Sequence, residues 1–169
     1  MTSVPLLVAL ALLGSRFSAG PSTLRQGDGC AVARVVDGDT FRCRDGRKVR
    51  LIGVDAPEQG QGEAGRLARQ ALLRYLPLGR VVRLERDVQA VDRYGRTLAF
   101  VWTGDMLVNQ AMVREGWAVL YTVPPDVKYA ERLLQAQKEA RARRAGLWAS
   151  GGFGCPPRNY RRDRCVTRP

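Results

Sequence analysis

Asp39, Arg50, Asp55 and Glu58 fall within one short stretch of this 169-residue chain, in Val36-Asp37-Gly38-Asp39-Thr40 and Arg50-Leu51-Ile52-Gly53-Val54-Asp55-Ala56-Pro57-Glu58. Two carboxylates at neighbouring strand ends can supply hard oxygen ligands to a divalent cation, with waters and a substrate phosphate completing the shell. Asp39 and Asp55 are the candidates for that pair. Pro57 fixes the backbone just before Glu58, so the Glu58 carboxylate can be aimed at a water beside metal and phosphate. Arg50 and, from a distant turn, Arg96 offer planar guanidiniums. Such groups grip phosphate oxygens bidentately and favour the charge that accumulates during phosphoryl transfer. Each residue also has a plainer reading. Asp37-Gly38-Asp39 is ordinary turn chemistry, and either arginine suits a surface cation or a structural salt bridge with Asp92 or Glu85. Histidine is absent, which excludes an imidazole base.

The elements that must position these residues are legible from periodicity. Ala31–Val36, Thr40–Arg44 and Lys48–Val54 read as an antiparallel meander joined by the turns Asp37-Gly38-Asp39 and Asp45-Gly46, with Pro57 ending the third strand. From Glu63 to Leu76, Leu67, Ala68, Ala71, Leu72 and Tyr75 recur at helical spacing. Arg80–Ala90 and Thr97–Trp102 read as further strands around the Tyr94-Gly95 turn. Leu107–Glu115 is a short helix stopped at Gly116. A last helix, Val127–Ala145, ends at Gly146 as a left-handed cap with Leu147 and Trp148 folding back. Five strands, one helix after the third and two after the fifth predict an α+β, mainly β fold: a five-stranded OB-type Greek-key barrel with three helices.

Lys+Arg 28 against Asp+Glu 16 gives a net charge of +12, and all of these cations except Lys48, Lys128 and Lys138 are arginine. Such a surface attracts polyanions without identifying one. The apolar run Val4–Leu13 is too short to span a bilayer and precedes the small residues Ser18-Ala19-Gly20. Residues 1–20 therefore read as a secretory signal, which places the protein in the periplasm or outside the cell, with no membrane partner once the signal is removed. Cys30, Cys43, Cys155 and Cys165 fit an oxidising compartment, and the pairs Cys30–Cys43 and Cys155–Cys165 each close a short loop. Residues 150–169 form a tail rich in Gly, Pro and Arg. It is expected to be an extended, solvated appendage tied by its own disulfide, beyond a domain at 30–149.

Taken in order and spacing, these motifs, together with Asp92-Arg93-Tyr94-Gly95-Arg96, Val108-Asn109 and Val113-Arg114-Glu115-Gly116, resemble the staphylococcal nuclease (thermonuclease) family over Val32 to Trp148. The resemblance implies calcium-dependent cleavage of DNA and RNA between phosphorus and the 5′ oxygen, leaving 3′-phosphates. It implies that Asp39, Asp55 and the Ala56 carbonyl hold Ca2+, that Arg50 and Arg96 stabilise the transition state, and that Glu58 deprotonates or positions the attacking water. Arg93, Tyr94 and Tyr121 match positions that contact nucleotide, and an aromatic face suits a splayed base of a single or frayed strand. A monomer is expected. Ala56 stands where the staphylococcal pattern has threonine, a change that a main-chain ligand tolerates. Asn109 matches a structural position, and the four cysteines have no place in that pattern. A barrel that binds nucleic acid without cutting it is the rival reading, but such a barrel is expected to have lost acids or arginines that are all present here.

Overall fold

The computed structural model describes residues 29–165, so the expected signal segment lies outside the described residues. Its strands are β1 (Gly29–Val35), β2 (Thr40–Cys43), β3 (Lys48–Leu51), β4 (Val54–Asp55), β5 (Val81–Glu85), β6 (Thr97–Thr103), β7 (Met106–Leu107) and β8 (Val119–Leu120). Its helices are α1 (Glu63–Tyr75), α2 (Val108–Arg114), α3 (Ala130–Ala142), α4 (Leu147–Ser150) and α5 (Pro157–Tyr160), with a 3-10 turn at Gln59–Gln61. The sheet runs β3-β2-β1-β5-β6, and a parallel β3–β6 pairing that sets Arg50 opposite Leu98 closes it into the expected five-stranded barrel. Val32, Phe41, Val49, Leu51, Phe100 and Val101 are buried in its strands, and Leu72, Met112 and Leu133 join the same core from the helices. Cys30 and Cys43 are bonded across β1 and β2, with Cα atoms 5.5 Å apart.

Four elements differ from expectation. The third strand does not run through to Val54 but breaks at Ile52-Gly53. Gly53 has φ of +77°, and a Cβ there would stand 2.5 Å from Leu133 Cδ1, so glycine lets the chain bend beneath α3. Beyond the bend β4 pairs with β8, Val54 opposite Leu120 and Asp55 opposite Val119. Asp55 is thus fixed by a pairing separate from the barrel. Asn109, fully buried, reinforces the bend: its Oδ1 accepts the Val101 N–H at 2.8 Å and its Nδ2 donates to Ile52 O at 2.8 Å and Ala99 O at 3.3 Å.

The fourth strand ends at Glu85 rather than Ala90, and beyond it side chains tie the segment to residues 126–128. Asp126 Oδ1 accepts the Gln89 N–H, and Asp87 Oδ2 accepts the Lys128 N–H. The last long helix stops at Ala142, and the left-handed residue after it is Arg144, with φ of +50°. Gly146 is therefore not the helix cap; it lies against the end of α2, where a Cβ would be 2.4 Å from Glu115 O. Finally, the tail is packed rather than extended. Phe153 is buried with its ring 4.5 Å from that of Trp148, α5 follows, and Cys155 and Cys165 are bonded with Cα atoms 5.4 Å apart.

Candidate active site

The Asp37-Gly38-Asp39 turn begins the site, and its glycine is required by proximity rather than by a left-handed backbone. A Cβ on Gly38 would fall 2.5 Å from Ala56 Cβ and 2.7 Å from Ala68 Cβ, so the turn sits directly on β4's end and on α1. That closeness lets Asp39 Oδ2 accept the Ala56 N–H at 2.8 Å, while Asp39 Oδ1 accepts the Thr40 hydroxyl at 3.0 Å. Ala56 is thereby locked to the first carboxylate. Similarly, Gly65 in α1 permits contact with the backbone at Glu58, since a Cβ there would be 2.0 Å from Glu58 O. The Gln61 side chain accepts the Glu58 N–H at 2.9 Å, so Glu58 leaves Pro57 on a backbone held from both sides.

Arg50, in β3 opposite Thr40, ties the acids together. Its Nη1 lies 3.1 Å from Asp39 Oδ2 and donates to Val54 O at 2.8 Å and Leu51 O at 3.0 Å, while Nη2 reaches Asp55 Oδ1 at 3.1 Å. Asp55 is 1% exposed and Arg50 8%, so this is a buried, hydrogen-bonded charge cluster. Burial pushes Asp55 above the usual carboxylate range despite hydrogen bonds from Arg161 that pull it down. Burial and the neighbouring Asp39 push Asp37 up to about 7. Both shifts mark a site in which negative charge is under-compensated and additional positive charge is favourable.

At the mouth, Asp92 organises the second cation. Its Oδ1 accepts the N–H groups of Tyr94 and Arg96, and its Oδ2 accepts from Arg96 Nε at 2.7 Å. The salt-bridge reading of Arg96 is thus correct in partner, yet the pair orients Arg96 on the wall of a cleft of about 710 Å³ also lined by Asp39, Arg50, Glu58, Arg93, Tyr94 and Tyr121. Tyr94 is 66% exposed, with the guanidiniums of Arg93 and Arg96 at 4.8 Å and 5.4 Å from its ring centre. Tyr121 is held by its N–H donating to Gly53 O at 2.9 Å. The fold therefore brings the sequence-predicted residues to one cleft, with Asp55 and Ala56 beneath its floor.

Arg161 was not expected here. From the end of α5 it forks onto Asp55, Nη1 to Oδ1 and Nη2 to Oδ2, both at 2.9 Å, and its Nη1 also reaches Glu58 Oε1 at 2.6 Å. Nothing in its sequence neighbourhood distinguishes it from Arg158, Arg162 or Arg164. The available signal was a short disulfide loop loaded with arginine in a chain whose candidate site is acidic.

Among the described residues no three His, Cys, Asp or Glu side chains gather as a metal site. Asp39 and Asp55 could hold an ion only with carbonyl, water or phosphate oxygens filling its shell. The donor set nevertheless suits a hard cation, and Asp55 with Glu58 already receives a positive charge, the guanidinium of Arg161.

An OB-type barrel with added helices, carrying acids and arginines together in one cleft beside exposed tyrosine, defines a class: the phosphodiester-hydrolysing nucleases of this fold. The family described as Staphylococcal nuclease homologue matches residues 48–150. The chain is 42% identical over 135 residues to a Thermonuclease of Staphylococcus intermedius, covering 75% of this chain and 80% of that protein. It is 41% identical over 127 residues to a Thermonuclease of Staphylococcus hyicus, covering 70% and 75%. It is also similar to an uncharacterised endonuclease of Haemophilus influenzae, at 35% identity over 162 residues, 94% of this chain and 85% of the relative. The chain belongs to the staphylococcal nuclease family and is a nuclease.

Proposed function

We propose that this nuclease is calcium-dependent and sugar-nonspecific, cutting DNA and RNA at the P–O5′ bond to leave 3′-phosphates. The observation that carries the reading is that Asp39, Arg50 and Glu58 line one cleft with Arg96, Tyr94 and Tyr121, while Arg50 reaches the buried Asp55. Asp39, Asp55 and the Ala56 carbonyl are the residues that would hold calcium, which when bound would polarise a phosphate oxygen and neutralise charge. Glu58, on the rigid exit from Pro57, orients the attacking water and takes its proton as the new O–P bond forms. Arg96, held through Nε by Asp92, meets the phosphate from the outer wall. Arg50 fixes the spacing of the two aspartates and faces the charge that accumulates on the phosphate oxygens.

Exposed Tyr94 and half-buried Tyr121, both lining the cleft, offer stacking faces for unpaired bases, which supports single or frayed strands as substrate and disfavours an intact duplex. Arg93, donating to Tyr94 Oη at 2.6 Å, braces one of those faces. The two disulfides support a secreted or periplasmic location, and no helix among the described residues is long and apolar enough to cross a membrane. The protein is proposed to act as a monomer. Product-end analysis tests the reading: a digest run with calcium is expected to yield 3′-phosphate ends and to stop on chelation. Ends bearing 5′-phosphate, or undiminished cutting in chelator, would refute it.

A further inference from the structure

The tail's position at the site is built, not incidental. Gln61 Nε2 donates to Cys155 O at 2.9 Å, joining the loop after Glu58 to the disulfide loop. Gly60 lies so close to Tyr160 that a Cβ would be 2.4 Å from its hydroxyl. Pro157 is buried, and the Arg158 guanidinium is 5.9 Å from the Tyr121 ring. These contacts aim Arg161 inward. Both oxygens of Asp55 are then engaged by its fork, and Oδ1 also takes Arg50.

We propose that Arg161 is a tethered cation occupying the carboxylate seat at Asp55 and Glu58, and that a divalent metal binds there only by displacing it. The inference rests on the reading of Asp39 and Asp55 as calcium ligands. The two cations compete for the same oxygen: Arg50 touches Asp55 only at Oδ1, whereas the Arg161 fork also takes Oδ2, so a metal ligated through Oδ2 would stand within a few ångströms of the Arg161 guanidinium, where like charges repel. Arg161 is nonetheless displaceable. Its side chain remains 38% exposed, so it can swing toward water, whereas Arg50, 10% exposed and bonded to two backbone carbonyls, stays. Arg161 thereby sets how much metal is needed to open the site, since apparent affinity falls with the fraction of molecules whose seat is open.

Calcium alone, titrated calorimetrically into the full mature chain without nucleic acid, tests this. If the seat is open in about one molecule in ten, Arg161→Gln binds calcium about tenfold more tightly than the wild type. Arg162→Gln removes the same charge from the neighbouring residue and is expected to shift affinity less than about twofold, the scale of a screened surface charge. Equal affinity in the wild type and Arg161→Gln, or equal gains in Arg161→Gln and Arg162→Gln, would overturn the seat proposal while leaving calcium binding intact. Absence of binding in every chain would instead overturn the calcium assignment itself, and this proposal with it.

Discussion

Gly38→Ala isolates the link between packing and chemistry. Gly38 does not have a positive φ, so alanine meets no backbone penalty there, and the whole effect must come from contact. The added methyl would lie 2.5 Å from Ala56 Cβ and 2.7 Å from Ala68 Cβ, against a carbon–carbon optimum of about 3.5–4.0 Å. The turn must therefore retreat from β4 and α1 by about 1 Å. Such overpacking costs about 1–3 kcal/mol of stability. The same retreat lengthens the 2.8 Å bond from the Ala56 N–H to Asp39 and the 3.1 Å contact of Asp39 with Arg50, so the carboxylates lose their spacing. A misplacement of about 1 Å can cost about 10²-fold in rate. Urea unfolding measures the first effect, and single-turnover cleavage of a single-stranded oligonucleotide, at concentrations of urea where the variant is fully folded, measures the second. Adding Ala68→Gly removes one of the two collisions and is expected to restore part of the rate. Wild-type stability and wild-type cleavage in Gly38→Ala would refute the reasoning.

Glu58→Gln is expected to lower turnover by about 10²–10⁴-fold, the usual worth of a positioned acid–base group, with unfolding little changed; full turnover at saturating calcium would remove Glu58 from the mechanism. Arg96→Ala should cost about 10²–10³-fold, as loss of one preorganised charge-stabilising group does, and wild-type turnover would show that the Asp92 pair is purely structural. Asn109→Leu strands the Val101 N–H and the Ile52 carbonyl in the core, an expected loss of about 3 kcal/mol or more in urea unfolding; an unchanged midpoint would contradict it. At Glu85, burial raises the carboxyl's pKa, but hydrogen bonds from Lys128, Tyr129 and Trp102 outweigh it and hold the group below its ordinary 4.5. Because the folded state resists protonation, this stabilisation is complete above the ordinary value and lost as pH falls from there through the lower folded value. Melting temperature against pH should therefore fall less steeply below about pH 4.5 in Glu85→Gln than in the wild type, and parallel curves would count against the assignment.

The barrel was legible because the alternation of Val82 and Leu84 with Arg83 and Glu85 and the helical spacing of Ala68, Ala71 and Leu72 are local properties of burial. Boundaries were less legible where distant groups decide them. The strand after Arg80 ended early where Asp126 accepts the Gln89 N–H and Asp87 accepts the Lys128 N–H, and Gly146, read as the helix cap, instead packs on Glu115. The Asp-Gly-Asp turn looked like ordinary turn chemistry for the same reason. Its glycine answers to Ala56 and Ala68, which no turn rule contains.

By itself the sequence determined the inventory: acids and arginines at strand ends, tyrosines near turns, two short cysteine loops, and the periodicities that build the frame. Tertiary structure alone decided who partners whom. It bent the chain at Gly53 so that Asp55 pairs with β8, gave Arg96 to Asp92, and turned a tail read as solvated into the carrier of Arg161 on Asp55 and Glu58. The physical reason is range. Periodicity and turn preference act over a few residues, whereas a guanidinium finds its carboxylate through space, and Asp55 and Arg161 are 106 positions apart in the chain.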